Sequence, residues 1–471
     1  MVFASLPFIF FILPIFLSLD FFLKRTTLLR NISLILISLF FYIFDGGTHS
    51  IKILIAYGVL NFIFGYVLEI AKDKNQKLKI ISLVSFVSIN LLSLIYFKYS
   101  YWLVSLIADL FSNPTLTVKQ QTLPLGISFF TFHAISYLID ISRGEINGKN
   151  NIINFLTYFF MFPHLIAGPI VRYKQVRHEL VNRKDSDRTQ LFNYGIYRFI
   201  LGVNKKILIA NSVAPLANMA FIYNVESISF ADAWIGSLAY MIQIYFDFSA
   251  YSDMAIGLAA MAGFRFSENF NAPYQSNSIK EFWRRWHISL SSWLRDYVYI
   301  PLGGSRVKTG RIYFNLVFVF FLCGLWHGAN MTFVIWGLYN GLFLIIERLF
   351  LGKILDRVPV FISRFYALFI VLIGWVFFRA DSLSHAISYL QVMFGFMNTS
   401  NSSICQGLLL NYVALIIGLI TIFVKLQSFN SSNSVDCKVH VQPFLVHSVL
   451  IVLSVLILYF GAQNPFIYFN F

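Results

Sequence analysis

The feature that most constrains this chain is repetition. Apolar runs of about 18 residues or more recur along its length, each followed by a short loop that is often rich in Lys or Arg. Such runs cross a bilayer as helices, because a helix satisfies its own backbone hydrogen bonds where water is absent. Charged residues make up only 12% of the sequence, about half the fraction of a soluble domain. Alternating strand patterns are missing, which argues against a barrel. The expected fold is an all-α polytopic membrane protein, a single transmembrane domain over residues 1–471. About eleven or twelve helices, re-entrant and interfacial segments included, are expected around a central funnel.

The net charge of +15 raises the question of nucleic acid. The Lys and Arg lie in short loops between apolar runs, as the positive-inside rule requires of a membrane protein. Membrane lipids, not nucleic acid, are therefore the expected surroundings. KRTTLLR (24–30), AKDKNQKLK (71–79) and RGEINGKNN (143–151) read as cytoplasmic; DGGTHS (45–50) and SNPTLTVKQ (112–120) read as external. Lys24 and Arg25 follow the first apolar run, the reverse of a secretory signal, which predicts a retained span with its N-terminus outside. Spans are predicted near 2–23, 31–44, 51–70, 80–97, 122–142, 207–223, 234–262, 312–330, 332–346, 361–378, 408–424 and 445–460. Residues 99–111 read as interfacial, and 381–405 and 426–440 as connecting loops.

NFLTYFFMFPHLIAGPIV (154–171) is apolar, yet it holds Pro163, Gly168 and Pro169 and has basic flanks at both ends. A segment whose two ends favour the same side enters and leaves on that side. A broken helix at membrane depth needs protein or a wet cavity around it, so this segment reads as re-entrant.

The polar, basic stretch at 265–311 reads as a cytoplasmic insert. Within EFWRRWHISLSSWLRDY, a continuous helix would place Trp283, His287, Ser291 and Leu294 on one face. Lys280, Arg284, Ile288 and Arg295 would form a basic stripe beside it. The stripe suits a membrane surface, with Trp as anchors, and equally suits a phosphate-bearing substrate, which Arg holds through its fork of donors.

FLCGLWHGAN (321–330) places His327 inside an apolar run. An ionisable group there is costly, and it faces either a neighbouring helix or a cavity. Gly324 and Gly328 leave room for a backbone or a substrate, and Trp326 can wall a passage. His287 and His327 in one cavity could share acid–base work near neutral pH. Asp247, Asp253, His133 and His164 are also intramembrane, each open to a packing or a cavity-lining role. Cys323, Cys405 and Cys437 lack metal spacing, and no metal site is expected. No nucleophile elbow, phosphate loop or HExxH motif is present.

PLGISFFTFHAISYLID, FPHLIAGPIVRY, YFDFSAYSDMAIGLA, FNAPYQSNSIKEFWRRWHISLSSWLRDYVYIPLGG, GLWHGANMTFVIWGLYNG and WVFFRADSLSHAISYLQVMFG occur in order, with related stretches at both ends. Together they resemble the membrane-bound O-acyltransferase family, in particular the branch of the alginate O-acetyltransferase membrane subunit. Met331 departs from the Trp that many relatives carry there. The resemblance implies that His327 is catalytic and His287 a second functional histidine. Trp326, Gly328, Arg284, Arg295, Ser291 and Asn330 are the candidate residues of a substrate tunnel or donor site. The resemblance further implies acetyl-CoA as donor substrate with no bound cofactor. Location in the bacterial inner membrane, a polysaccharide acceptor outside, and a separate periplasmic lipase-like acetyltransferase as partner follow from the same likeness. Peptidoglycan or another envelope acceptor is the alternative, and a proton-coupled transporter a distant one.

Overall fold

The apolar runs fold as helices. The computed structural model describes residues 3–23, 25–112, 118–183, 188–222, 225–397, 409–423 and 441–460, and no strand occurs among them. Seven of the described helices are long and apolar enough to cross a membrane: Thr27–Phe44, Gly46–Lys74, Gln76–Leu110, Arg188–Ile222, Thr309–His327, Met331–Leu355 and Val360–Arg379. Phe8–Phe22, Leu409–Phe423 and Val446–Tyr459 are shorter apolar helices. Phe22, Leu36, Ile81 and Phe365 point outward, as contact with lipid demands.

Three expectations from the sequence are corrected. Residues 99–111 are not a separate interfacial piece but continue Gln76–Leu94 into one 35-residue run. No Pro or Gly lies between Gln76 and Leu110 to stop it. The run predicted at 207–223 begins at Arg188. Its first half carries two charges, Arg188 and the buried Arg198, paired with Asp20 and Asp253, that dilute the apolar signal. Within the expected loop 381–405, Leu383–Met393 is helical, with Ser382 capping the His385 N–H at 3.1 Å. The loop expected at 426–440 lies outside the described residues.

The helices form two compact units, the first mainly from Met1–Ile200 and Ser252–Ser267, the second mainly from Leu201–Tyr251 and Glu268–Asp436. In the first unit, Asn61 and Asn90 exchange amide hydrogen bonds at 3.1 and 2.9 Å. Such polar pairs join apolar helices that lipid alone would not drive together. The 154–171 segment is broken at Met161 (φ −51°, ψ 110°), separating Ile152–Phe160 from Phe162–Leu165. Pro163 falls in the first turn of the second piece, where its missing N–H costs nothing. Every residue from 157 to 173 is buried, the condition under which a broken helix is tolerated in a membrane. Gly126 (φ +74°) turns the chain against this segment; a side chain there would strike the Leu165 carbonyl at 2.6 Å.

The intramembrane polar residues are held by the protein. Asp253 pairs with Arg198 in the first unit, and Asp247 with Lys206 at 2.7 Å in the second. His133 and His164 pack in a tilted pair with ring centroids 4.4 Å apart, and His164 Nε2 lies 2.7 Å from the Tyr158 carbonyl oxygen.

Candidate functional site

The second unit carries both histidines of interest. The insert is not one helix. Ile279–Arg285 and Ile288–Leu294 are separated at His287, whose backbone is left-handed (φ 42°, ψ 55°). Trp283, His287, Ser291 and Leu294 therefore do not share a continuous helical face. A non-glycine residue in this conformation is strained and persists only where its surroundings hold it. Asn269 supplies the hold. Its carbonyl oxygen accepts the Ile288 N–H at 2.9 Å, and its Oδ1 accepts the Ser289 N–H at 3.2 Å and the Ser289 hydroxyl at 2.8 Å.

Asn269 Oδ1 also lies 3.1 Å from His287 Nδ1. The backbone N–H of Ser289 can only donate, so the amide must present its oxygen here. His287 Nδ1 then carries the proton, and Nε2 carries the lone pair. Nε2 is buried and has no hydrogen-bond partner among the described residues. Burial pushes the imidazole down from 6.5 to about 3, so it is neutral at physiological pH.

The insert's tryptophans are not surface anchors: Trp283, Trp286 and Trp293 are all buried. Trp286 lies 5.0 Å from Trp375 and Trp283 5.6 Å from Trp336, centroid to centroid. Trp283 donates its Nε1–H to Asn340 at 3.1 Å. Glu347 receives the Ile279 and Lys280 N–H groups at 2.6 and 3.0 Å. A carboxylate at this helix start favours the N-terminal end of the dipole and pins the insert to the segment following Met331–Ile346.

His327 is the last residue of the Thr309–His327 helix and is 3% exposed. Its ring packs edge-on against Trp336 (5.1 Å) and Phe378 (5.0 Å). Trp326 contacts both imidazoles, His327 at 4.9 Å and His287 at 5.9 Å. Phe248 covers His287 from another helix at 4.6 Å. The structure thus brings together two histidines that the sequence places 40 residues apart, with one indole between their contacts.

The other predicted residues divide. Arg284 is exposed, and Arg295 is exposed and paired with Asp296 at 2.7 Å. The Ser291 hydroxyl turns back to the His287 carbonyl at 3.2 Å. Asn330 caps the next helix, accepting from the Thr332 N–H at 3.0 Å and donating to the Asp381 carbonyl at 2.9 Å. The room beside Gly324 and Gly328 is taken by protein, not left for an acyl chain. A Cβ at Gly324 would collide with the Phe333 carbonyl and stand 3.3 Å from the Gly337 Cα; one at Gly328 would enter the Phe333 ring. Gly324→Leu is accordingly expected to force these helices apart, an overpacking cost of about 1–3 kcal/mol or more. A lowered unfolding midpoint of the detergent-purified variant checks this, and an unchanged midpoint refutes it.

Asn269, Phe248, Phe333, Trp336 and Phe378 are the neighbours that sequence reasoning missed. Asn269 has a faint signal, a polar residue in NFNAPY within the insert, ahead of its two helices. The aromatic residues have none in a chain where Phe fills 53 positions.

Fold and site define a polytopic helical membrane protein with a buried histidine pair around a tryptophan. A model of the membrane-bound O-acyltransferase family matches residues 116–388, and the chain belongs to that family. It is an O-acyltransferase and a multi-pass protein of the bacterial inner membrane. It is 42% identical over 400 residues to the probable alginate O-acetylase AlgI of Pseudomonas aeruginosa, covering 84% of this chain and 75% of the relative. The Pseudomonas putida protein described in the same words is 38% identical over the whole of both chains. The peptidoglycan O-acetyltransferase of Helicobacter pylori is 31% identical, over 95% of this chain and 92% of its own.

Proposed function

We propose that this protein takes the acetyl group of cytoplasmic acetyl-CoA across the inner membrane for O-acetylation of an exported, alginate-like polysaccharide. The observation that carries the reading is the shared contact of His287 and His327 with Trp326, in a chain with a probable alginate O-acetylase as a full-length relative. His327 acts as general base. It takes the proton of an attacking hydroxyl as the new C–O bond forms at the thioester carbonyl. The C–S bond then breaks, and the proton passes to the leaving thiolate. His327 lies in the last turn of its helix, where the dipole favours the positive charge that the ring gains, by about 0.3–1 kcal/mol.

His287, with its lone pair on Nε2, accepts a hydrogen bond from a donor group of the substrates. The hydroxyl belongs to a separate periplasmic lipase-like acetyltransferase, which passes the acetyl group on to sugar. Trp326 walls the passage. Arg284 and Arg295, exposed on the insert, meet the phosphates of the donor, while Gly328, Ser291 and Asn330 shape the site through packing and capping. Acetylation of peptidoglycan is the second reading, favoured by the Helicobacter relative.

Radiolabelled acetyl-CoA supplied to inside-out membrane vesicles tests the proposal. Label is expected on the partner or the polymer only when this chain and the partner are both present. Equal labelling in vesicles without this chain overturns the reading. Label found on glycan strands, not on exported polysaccharide, selects the second.

A further inference from the structure

Around Asp20 in the first unit, guanidinium groups outnumber carboxylates among the described residues. Arg30 and Arg183 are 2% and 4% exposed, with Asp20 beside them at 6%. Asp20 receives Arg30 through Nε at 2.6 Å and Nη2 at 2.9 Å, and Arg188 through Nη2 at 2.8 Å. One carboxylate therefore serves two guanidinium groups. Arg183 Nη1 donates to the Ala262 carbonyl at 3.3 Å, which Arg30 Nη2 also reaches at 3.1 Å. The Phe264 ring lies 4.6 Å from the Arg183 guanidinium. Arg183 Nε and Nη2 are buried and have no hydrogen-bond partner among the described residues.

Helix capping explains part of this arrangement. Ala262 follows the C-terminal end of the Phe230–Met261 helix, and Gly263 (φ +89°) turns the chain there, its bare face 3.5 Å from Arg183 Cδ. A helix end offers about half a negative charge. Half a charge and one carboxylate, which the partly exposed Arg188 also shares, do not balance the two buried cations Arg30 and Arg183. Guanidinium does not escape by losing its proton: burial and Arg30 push Arg183 down only to about 9. A buried cation without a counter-charge costs several kcal/mol. The open Nε–Nη2 edge is the fork that a phosphate takes with two oxygens. The flanking basic stretches, KRTTLLR and RYKQVRHELVNRK, are those that the positive-inside rule sets at the cytoplasmic headgroup layer.

We propose that the Nε–Nη2 edge of Arg183, with Arg30 and Arg188 beside it, is a phosphate-binding site on the basic, cytoplasmic side of the membrane. The phosphate is that of an anionic phospholipid headgroup or of a soluble phosphate compound; the chemistry is the same. The site does not depend on the acyl-transfer reading.

The full chain, delipidated in maltoside detergent, is titrated with short-chain phosphatidylglycerol, with inorganic phosphate and with coenzyme A, and its unfolding midpoint is followed. A rise with the lipid alone assigns the headgroup source; a rise with phosphate or coenzyme A assigns the soluble one. Arg183→Gln is expected to weaken whichever binds by about tenfold or more. Arg183→Lys, which keeps the charge and loses the fork, is expected to fall between. Should Arg183→Gln not fold, Arg183→Lys and native mass spectrometry of co-purified lipid on the wild type carry the test. No rise with any of the three compounds overturns the proposal, as does a rise of equal size in Arg183→Gln. Asp185 and Asp187 follow Arg183 in sequence. If their double Asn variant, unliganded, loses as much stability as Arg183→Gln, the chain supplies its own counter-charge and the proposal also falls.

Discussion

Replacement of His327 by Gln is expected to cut acetyl transfer from acetyl-CoA by about 100- to 10,000-fold, the usual contribution of a positioned base, while the protein still folds. The ring fills a slot among Trp326, Trp336 and Phe378. His327→Ala would empty that slot, and a large-to-small change in a packed core costs about 2–5 kcal/mol. Lost activity in the Ala variant could then reflect lost structure. Gln is closer in volume, keeps a donor and an acceptor, and cannot carry a proton away at neutral pH. The assay is labelled acetyl transfer in vesicles, alongside the unfolding midpoint of the purified variant. A Gln variant with a wild-type midpoint and activity within a few-fold of wild type removes His327 from the role of base.

The fold class was legible because lipid imposes a simple code. Apolar runs must be helices, and basic loops mark one side. The code fails where protein replaces lipid. Arg188–Asn204 was missed because its charges, Arg188 and Arg198, pair with Asp20 and Asp253 inside the unit, and a hydropathy reading cannot see the partners. The joined helix at 76–110 was missed because length alone suggested a break that no Pro or Gly provides. At the site, His327 and His287 were visible as costly polar residues in informative company. Their meeting at Trp326 was plausible but not derivable, since no spacing rule links positions 40 apart. The glycines misled most. Small residues mark close approach, yet sequence does not say of what, and here it is Phe333. The break at His287 was likewise hidden: every residue of EFWRRWHISLSSWL accepts a helix, and only the distant Asn269 selects the turn.

That turn carries the second large effect. Asn269→Leu removes the acceptor for the Ser289 N–H, the Ser289 hydroxyl and His287 Nδ1. Each buried donor left unsatisfied costs about 1–3 kcal/mol, and the imidazole is freed to move its proton to Nε2. Acetyl transfer is expected to fall by about 100-fold or more, a loss that a folding defect could also cause. Asn269→Asp separates the two. It keeps an acceptor for all three donors, so the turn survives, and it sets a carboxylate against Nδ1–H. A negative charge there favours the imidazolium and opposes the burial that holds His287 down at about 3. The acid limb of the pH–rate profile should therefore move to higher pH in Asn269→Asp, with KM for acetyl-CoA little changed.

The stability profile should move in the same direction. In the wild type the folded ring stays neutral while the unfolded one takes a proton below about 6.5. The contribution of His287 is thus complete above pH 6.5 and is lost as pH falls toward 3. Raising the folded value narrows that window from below and softens the acid sensitivity of the unfolding midpoint. An Asn269→Asp protein whose rate and stability profiles both overlay the wild type shows that Asn269 does not govern the proton on His287, whatever Asn269→Leu does to yield.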